Sequence, residues 1–170
     1  MDFTKALQKE HSRRQATKIA DYVGDNRARF KQLVEVYLGG PYRITQRAAW
    51  PLSTCVERHP ALILPHLRRI LDFVERPDVH DAVKRNTMRL LQFIEIPSKY
   101  QGRVTEICFD FLQQKRTPVA VKVFSMTVLG QIAQREPGLK NELRLVIEDQ
   151  LPYASPGFIS RARKVMKLLR

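Results

Sequence analysis

The chain has 170 residues, of which 44% are apolar, and carries a formal net charge of +13. This length and apolar content are enough for one buried core and exclude a disordered tail, and seven glycines with little β-branched alternation argue against an all-β fold. No stretch approaches the roughly 18 uninterrupted apolar residues of a membrane span, whereas the charge favours acidic partners such as nucleic acid or an acidic protein.

Residues Met1 to Glu10 carry acids and lysines where a signal peptide would need an apolar run, so a cytoplasmic protein is expected. Ala16, Ile19, Ala20 and Val23 then form one apolar stripe, with Arg13, Arg14 and Lys18 on the opposite face. Residues 1–25 are therefore expected to form a capping helix with a polar outer face.

From about Asn26 onward the pattern repeats. Phe30, Leu33, Val34 and Tyr37 lie at i, i+3, i+4 and i+7, the spacing of a helix burying one face. The same stripe returns as Leu67, Ile70, Leu71 and Val74, as Val104, Ile107, Cys108 and Phe111, and as Leu143, Val146, Ile147 and Gln150, at shifts of 37, 37 and 39. A second family of helices alternates with the first, over Arg43–Glu57, Val79–Glu95, Val119–Arg135 and Gly157–Arg170. Trp50, Met88, Met126 and Val165 mark its register at spacings of 38, 38 and 39, and Gln46, Lys84, Lys122 and Arg161 stand four residues before them.

The punctuation follows the same period. Pro41, Pro77, Pro118 and Pro156 precede the second helices, and Pro60, Pro97 and Pro137 fall between hairpins, where proline blocks continuation. Thr117-Pro118 and Ser155-Pro156 read as an N-cap followed by proline at the first helical position, and Asp78 and Ser98 are further cap candidates. Pro51 follows Trp50 within a helix, where the lost donor predicts a kink, either a curvature adjustment or a local pocket.

The period, the alternating helices and the prolines resemble the HEAT-repeat (HEAT/armadillo-like) family from about Asn26 to Arg170. The most recognisable pieces are Ala82-Val83-Lys84, Ala120-Val121-Lys122 and Ser160-Arg161-Ala162. The resemblance implies an all-α, right-handed α-α superhelix of about four helical hairpins, at roughly 26–59, 60–97, 98–136 and 137–170, in a single domain over 1–170. It further implies that the second helices line a concave surface, and that the basic residue of each pairs with an acid in the preceding turn. Asp78 lies six residues before Lys84, but Arg116 and Ser155 hold that offset before Lys122 and Arg161, which leaves those two without an acid in that frame.

Motifs for chemistry are lacking. His11, His59, His66 and His80 match no metal spacing and read as structural or surface residues, and no phosphate-cradling glycine loop or nucleophile elbow occurs. No cofactor or metal is expected. Cys55 and Cys108 form no C-x-x-C pair and read as free, buried thiols. Trp50 lies on the apolar row and reads as a core residue rather than the base-facing aromatic of a HEAT-type alkylpurine DNA glycosylase. Val165, Leu168 and Leu169 end the chain on an apolar face that is expected to turn inward, giving a monomer, with a dimer through this helix as the alternative.

The presumed concave side carries the cations Arg47, Lys84, Arg85, Lys122, Arg161, Arg163 and Lys164, whereas acids such as Asp72, Glu106 and Asp149 crowd the first helices. The expected function is a non-enzymatic binding or scaffold module that presents this basic side to a nucleic-acid backbone or another polyanion. An adaptor for an acidic protein partner is the alternative, and glycosylase-like activity a lesser one.

Overall fold

Local capping decides where the first helices begin. In the computed structural model, which describes residues 1–170, Asp2 accepts from the Lys5 amide (3.1 Å) to open α1 (Phe3–Lys9). Ser12 accepts from Gln15 (3.1 Å) to open α2 (Arg13–Val23), and Asn26 from Arg29 (3.0 Å) to open α3 (Arg27–Gly39). The expected single capping helix is thus two helices. Ser12 commits its hydroxyl to the α2 terminus, and the extended backbone at Glu10 ends α1. Gly24 ends α2 at φ +52, where a side chain would be strained, and returns its N–H to the Ala20 carbonyl (2.9 Å).

The chain is helical throughout and divides into two compact units, Met1–Ile94 and Glu95–Arg170. The first unit continues with α4 (Tyr42–Arg58), a 3-10 segment (Pro60–His66), α5 (Leu67–Val74) and α6 (Asp81–Leu91). Helix α4 is its centre, with α1, α2, α3 and α6 packed around it. The stripes Phe30, Leu33, Val34, Tyr37 and Leu67, Ile70, Leu71, Val74 are all buried, as their spacing required. Tyr37 is fully enclosed. Its hydroxyl shares a hydrogen bond with Thr87 of α6 (2.8 Å), its ring meets Phe73 edge-on at 5.3 Å, and burial raises its phenol above the usual range. On the first helices, Arg69 grips Glu35 with two parallel bonds of 2.6 and 2.8 Å, and this contact holds the Glu35 carboxyl below its ordinary pKa.

Helix α4 runs unbroken through Pro51. The void beside Pro51 is only about 10 Å³, at the lower limit for a single water, so the proline makes no pocket of use to a ligand. Trp50 corrects the sequence reading. It is half-buried rather than a core residue, and one ring edge packs on His11 at 5.8 Å. Its neighbours on that row are the short α1 and the α1–α2 connection, which cover an indole only in part. Asp78 pairs with Arg76 (3.2 Å) instead of capping α6; His80 caps it, its Nδ1 accepting from the Ala82 amide (3.0 Å).

The second unit comprises α7 (Ser98–Gln113), α8 (Val119–Ala133), α9 (Leu139–Gln150), a 3-10 turn (Leu151–Tyr153) and α10 (Pro156–Leu168). Helix α8 is apolar almost all round, which suits a helix enclosed by α7, α9 and α10. Ser155 caps α10 with Pro156 at the first position, as the sequence predicts, whereas Pro118 and Pro97 are themselves the caps of α8 and α7, one residue from the expected places. Val165 and Leu169 bury inward, but Leu168 is exposed. The three share one stripe at i, i+3 and i+4, and Leu168, the last residue of α10, falls at the edge of that stripe where the helix ends.

Two positions give opposite expectations for stability. A Cβ built on Gly130 of α8 would lie 3.0 Å from Val165 of α10, so the glycine lets the two helices approach. Gly130→Val should destabilise by about 1–3 kcal/mol through overpacking. Exposed Gly102, inside α7, has nothing near its Cβ site. Gly102→Ala should stabilise by about 0.5–1 kcal/mol; urea denaturation of both variants checks the pair. Cys55 and Cys108 are free and buried, and lost hydration pushes both thiols up to about 12. Both should resist a thiol reagent in the native chain and react within seconds in denaturant.

Candidate polyanion-binding surface

The second helices carry most of the cations singled out in the sequence, and packing gives those cations different roles. In the first unit, Arg47 is half-buried on α4. Its guanidinium donates to the carbonyls of Leu7 (2.8 Å) and Gln8 (3.0 Å), in the last turn of α1. Those carbonyls have no partner within their helix, and they form the negative end of its dipole. Arg47 therefore closes α1 onto α4. Arg58 and Arg89 act similarly, pairing with Asp21 of α2 and, at 3.0 Å, with Glu57 of α4. Lys84 is half-buried and engaged, whereas Arg85 is exposed beside it. The exposed pairs contribute little stability, about 0–1 kcal/mol each.

In the second unit, Arg161 reaches from α10 to the Thr127 hydroxyl of α8 (2.7 Å). Lys122, near the start of α8, donates to the Gln150 side-chain carbonyl (2.8 Å). The acids that the repeat pattern would place beside these two cations are replaced by neutral oxygens. Desolvation lowers the Lys122 pKa from its ordinary value. Gln150 in turn donates to the carbonyls of Leu112 (2.9 Å) and Val146 (3.3 Å), so α7, α8 and α9 meet at one amide. The sequence reading placed Gln150 at the end of an apolar stripe without assigning it this role. The available signal was a polar side chain where Tyr37, Val74 and Phe111 stand in the other repeats, since a polar group in a buried row needs partners.

Helix α10 is different again. Phe158, Ala162 and Val165 bury its inner face. Arg163, Lys164 and Lys167 are exposed on the other side, the exposed Arg170 follows just past the helix end, and the helix contains no acid. Of the sequence candidates, then, Arg85, Arg163 and Lys164 lie open to solvent, and Arg47, Lys122 and Arg161 are hydrogen-bonded between helices.

A family model for the HEAT repeat domain matches residues 3–169. The chain therefore belongs to the HEAT-repeat family, a family of helical scaffolds that act as binding modules. The match takes in α1 and α2 as well as the four hairpins recognised from sequence. No curated protein and no solved structure matches the chain.

The distinction between tied and exposed cations can be measured. Arg47→Ala should cost about 1–2 kcal/mol, the range for a hydrogen-bonded charge that keeps partial contact with water, and should speed amide exchange selectively in α1. Arg163→Ala should leave stability within about 0.5 kcal/mol. Hydrogen–deuterium exchange resolved by peptide checks both.

Proposed function

We propose that this HEAT module is a non-enzymatic scaffold that holds a polyanion, a nucleic-acid backbone in the first instance, through exposed cations on its second helices. The observation that carries this reading is the outer face of α10, where Arg163, Lys164 and Lys167 stand exposed on a helix without an acid, with Arg170 exposed just beyond its end. Arg85 of α6 adds an exposed cation in the first unit. The net charge of +13 supplies a long-range attraction of the same sign.

Binding of this kind works by neutralising phosphates and releasing condensed counterions, so it is steep in salt and indifferent to sequence. Lys122, Arg161 and Arg47 support it indirectly, by fixing the helices that carry the exposed residues. The glycosylase alternative draws less support, because the void beside Trp50, about 10 Å³, is far too small for a base. An acidic protein partner would use the same α10 face, and competition separates it from nucleic acid.

The test is fluorescence anisotropy with a random 20-base-pair duplex over a salt series. Four phosphate contacts predict a slope of log K against log salt of about −3.6. Arg163→Glu/Lys164→Glu/Lys167→Glu should reduce affinity at least tenfold without loss of helicity. A control with the same charge change, Arg13→Glu/Lys18→Glu/Arg27→Glu, should reduce it much less. Equal losses in the two variants would show that charge alone is responsible. Retention of the chain by polyglutamate but not by duplex would transfer the reading to an acidic protein.

A further inference from the structure

Each unit has a cleft between the turns of two successive hairpins, and the two clefts are finished differently. In the first unit it lies between the α3–α4 and α5–α6 turns, has a volume of about 350 Å³, and several of its side chains pair with one another. Tyr42 packs edge-on against His80 at 5.4 Å. Arg76 pairs with Asp78 (3.2 Å) and lies over the Phe73 ring at 5.4 Å. The Thr45 hydroxyl donates to the Gly40 carbonyl (3.1 Å).

In the second unit the corresponding cleft lies between the α7–α8 and α9–α10 turns. It is larger, about 880 Å³, and its rim is apolar and uncovered. Val119, Leu145 and Tyr153 line it with relative exposures of 43%, 66% and 93%. These are three of the large apolar side chains that the chain leaves in water, gathered around one opening. Phe158 lies buried in the wall. Lys122 also lines the cleft, half-buried, with the neutral Gln150 amide as its hydrogen-bond acceptor. An ammonium has three donors, and the Gln150 amide oxygen takes one of them. Lys115 adds a second cation to the lining and Asp149 one acid, so cations outnumber acids there.

We infer that this cleft is a docking site for a short segment of a partner protein in which a large apolar side chain adjoins a carboxylate. The apolar group packs among Val119, Leu145 and Tyr153, and the carboxylate pairs with Lys122 Nζ. Both halves of that ligand follow from what the cleft presents: an uncovered apolar rim, and a lysine whose acceptor is a neutral amide. Gln150 is anchored to two backbone carbonyls, so Lys122 is held in place before the ligand arrives, which lowers the entropic cost of binding. The site is separate from the outer face of α10 and does not rest on the polyanion reading.

The experiment is selection of a displayed random heptapeptide library on the full chain, followed by synthesis of the enriched peptides. Enriched sequences should place Phe, Tyr, Trp, Leu or Ile within two residues of Asp or Glu. Replacing that acid by its amide should weaken binding at least tenfold. Leu145→Asp, an exposed change that leaves packing untouched, should abolish binding. Lys122→Gln, which can still donate to Gln150, should remove the preference for acid over amide. The α10 charge reversal should leave peptide binding unchanged. No enrichment, enrichment without an acid, or binding indifferent to both Leu145→Asp and Lys122→Gln would overturn the inference.

Discussion

The burial of one helix among several neighbours organises each unit. Helix α8 has no polar face, and α7, α9 and α10 must surround it if its apolar side chains are to leave water. Helix α4 plays the same part for α1, α2, α3 and α6. A single hairpin cannot meet that demand, because its second helix keeps an apolar side that only the next hairpin covers. This is why the pattern repeats along the chain. It is also why the close approach of Gly130 to Val165 matters, since a side chain at that point would force α10 away from α8.

The polar chemistry follows from this packing. Once helices lie side by side, a long cation on one reaches the end or flank of another. Arg47 closes the carbonyl end of α1, Arg161 crosses to Thr127, and Lys122 meets Gln150. A cation drawn into such a contact contributes to the net charge and yet is no longer fully available to a ligand. The formal charge of +13 therefore overstates the surface on offer. Among the second helices, α10 keeps the most exposed cations, Arg163, Lys164 and Lys167, and it contains no acid to occupy them.

Much of the fold was legible in advance because helical spacing is a direct consequence of geometry. The stripes from Phe30 to Tyr37 and from Leu67 to Val74 are buried as a period of 3.6 residues demands. Proline and serine punctuation marked the helix starts to within a residue or two, and Ser155-Pro156 fell in place. The N-terminal region was less legible. The stripe of α2 was visible, but α1 offers only Phe3 and Leu7, too short a pattern to read as a separate helix. Trp50 was misplaced for a related reason. Its row was buried in three repeats, and the fourth has only a short helix to cover it.

The sequence by itself determined the class of architecture, the alternation of the helices and the excess of basic residues. Each of these depends on order along the chain, and local geometry converts order into helices and faces. Only the tertiary structure decided which cations are exposed, since that depends on atoms tens of residues away, as Arg47 depends on the last turn of α1. The same holds for the cleft of the second unit. Leu145 and Tyr153 carry no signal in sequence and Lys122 stands out there only as a basic position of the repeat, and only the meeting of two hairpin turns brings three uncovered apolar groups beside one lysine whose acceptor is a neutral amide.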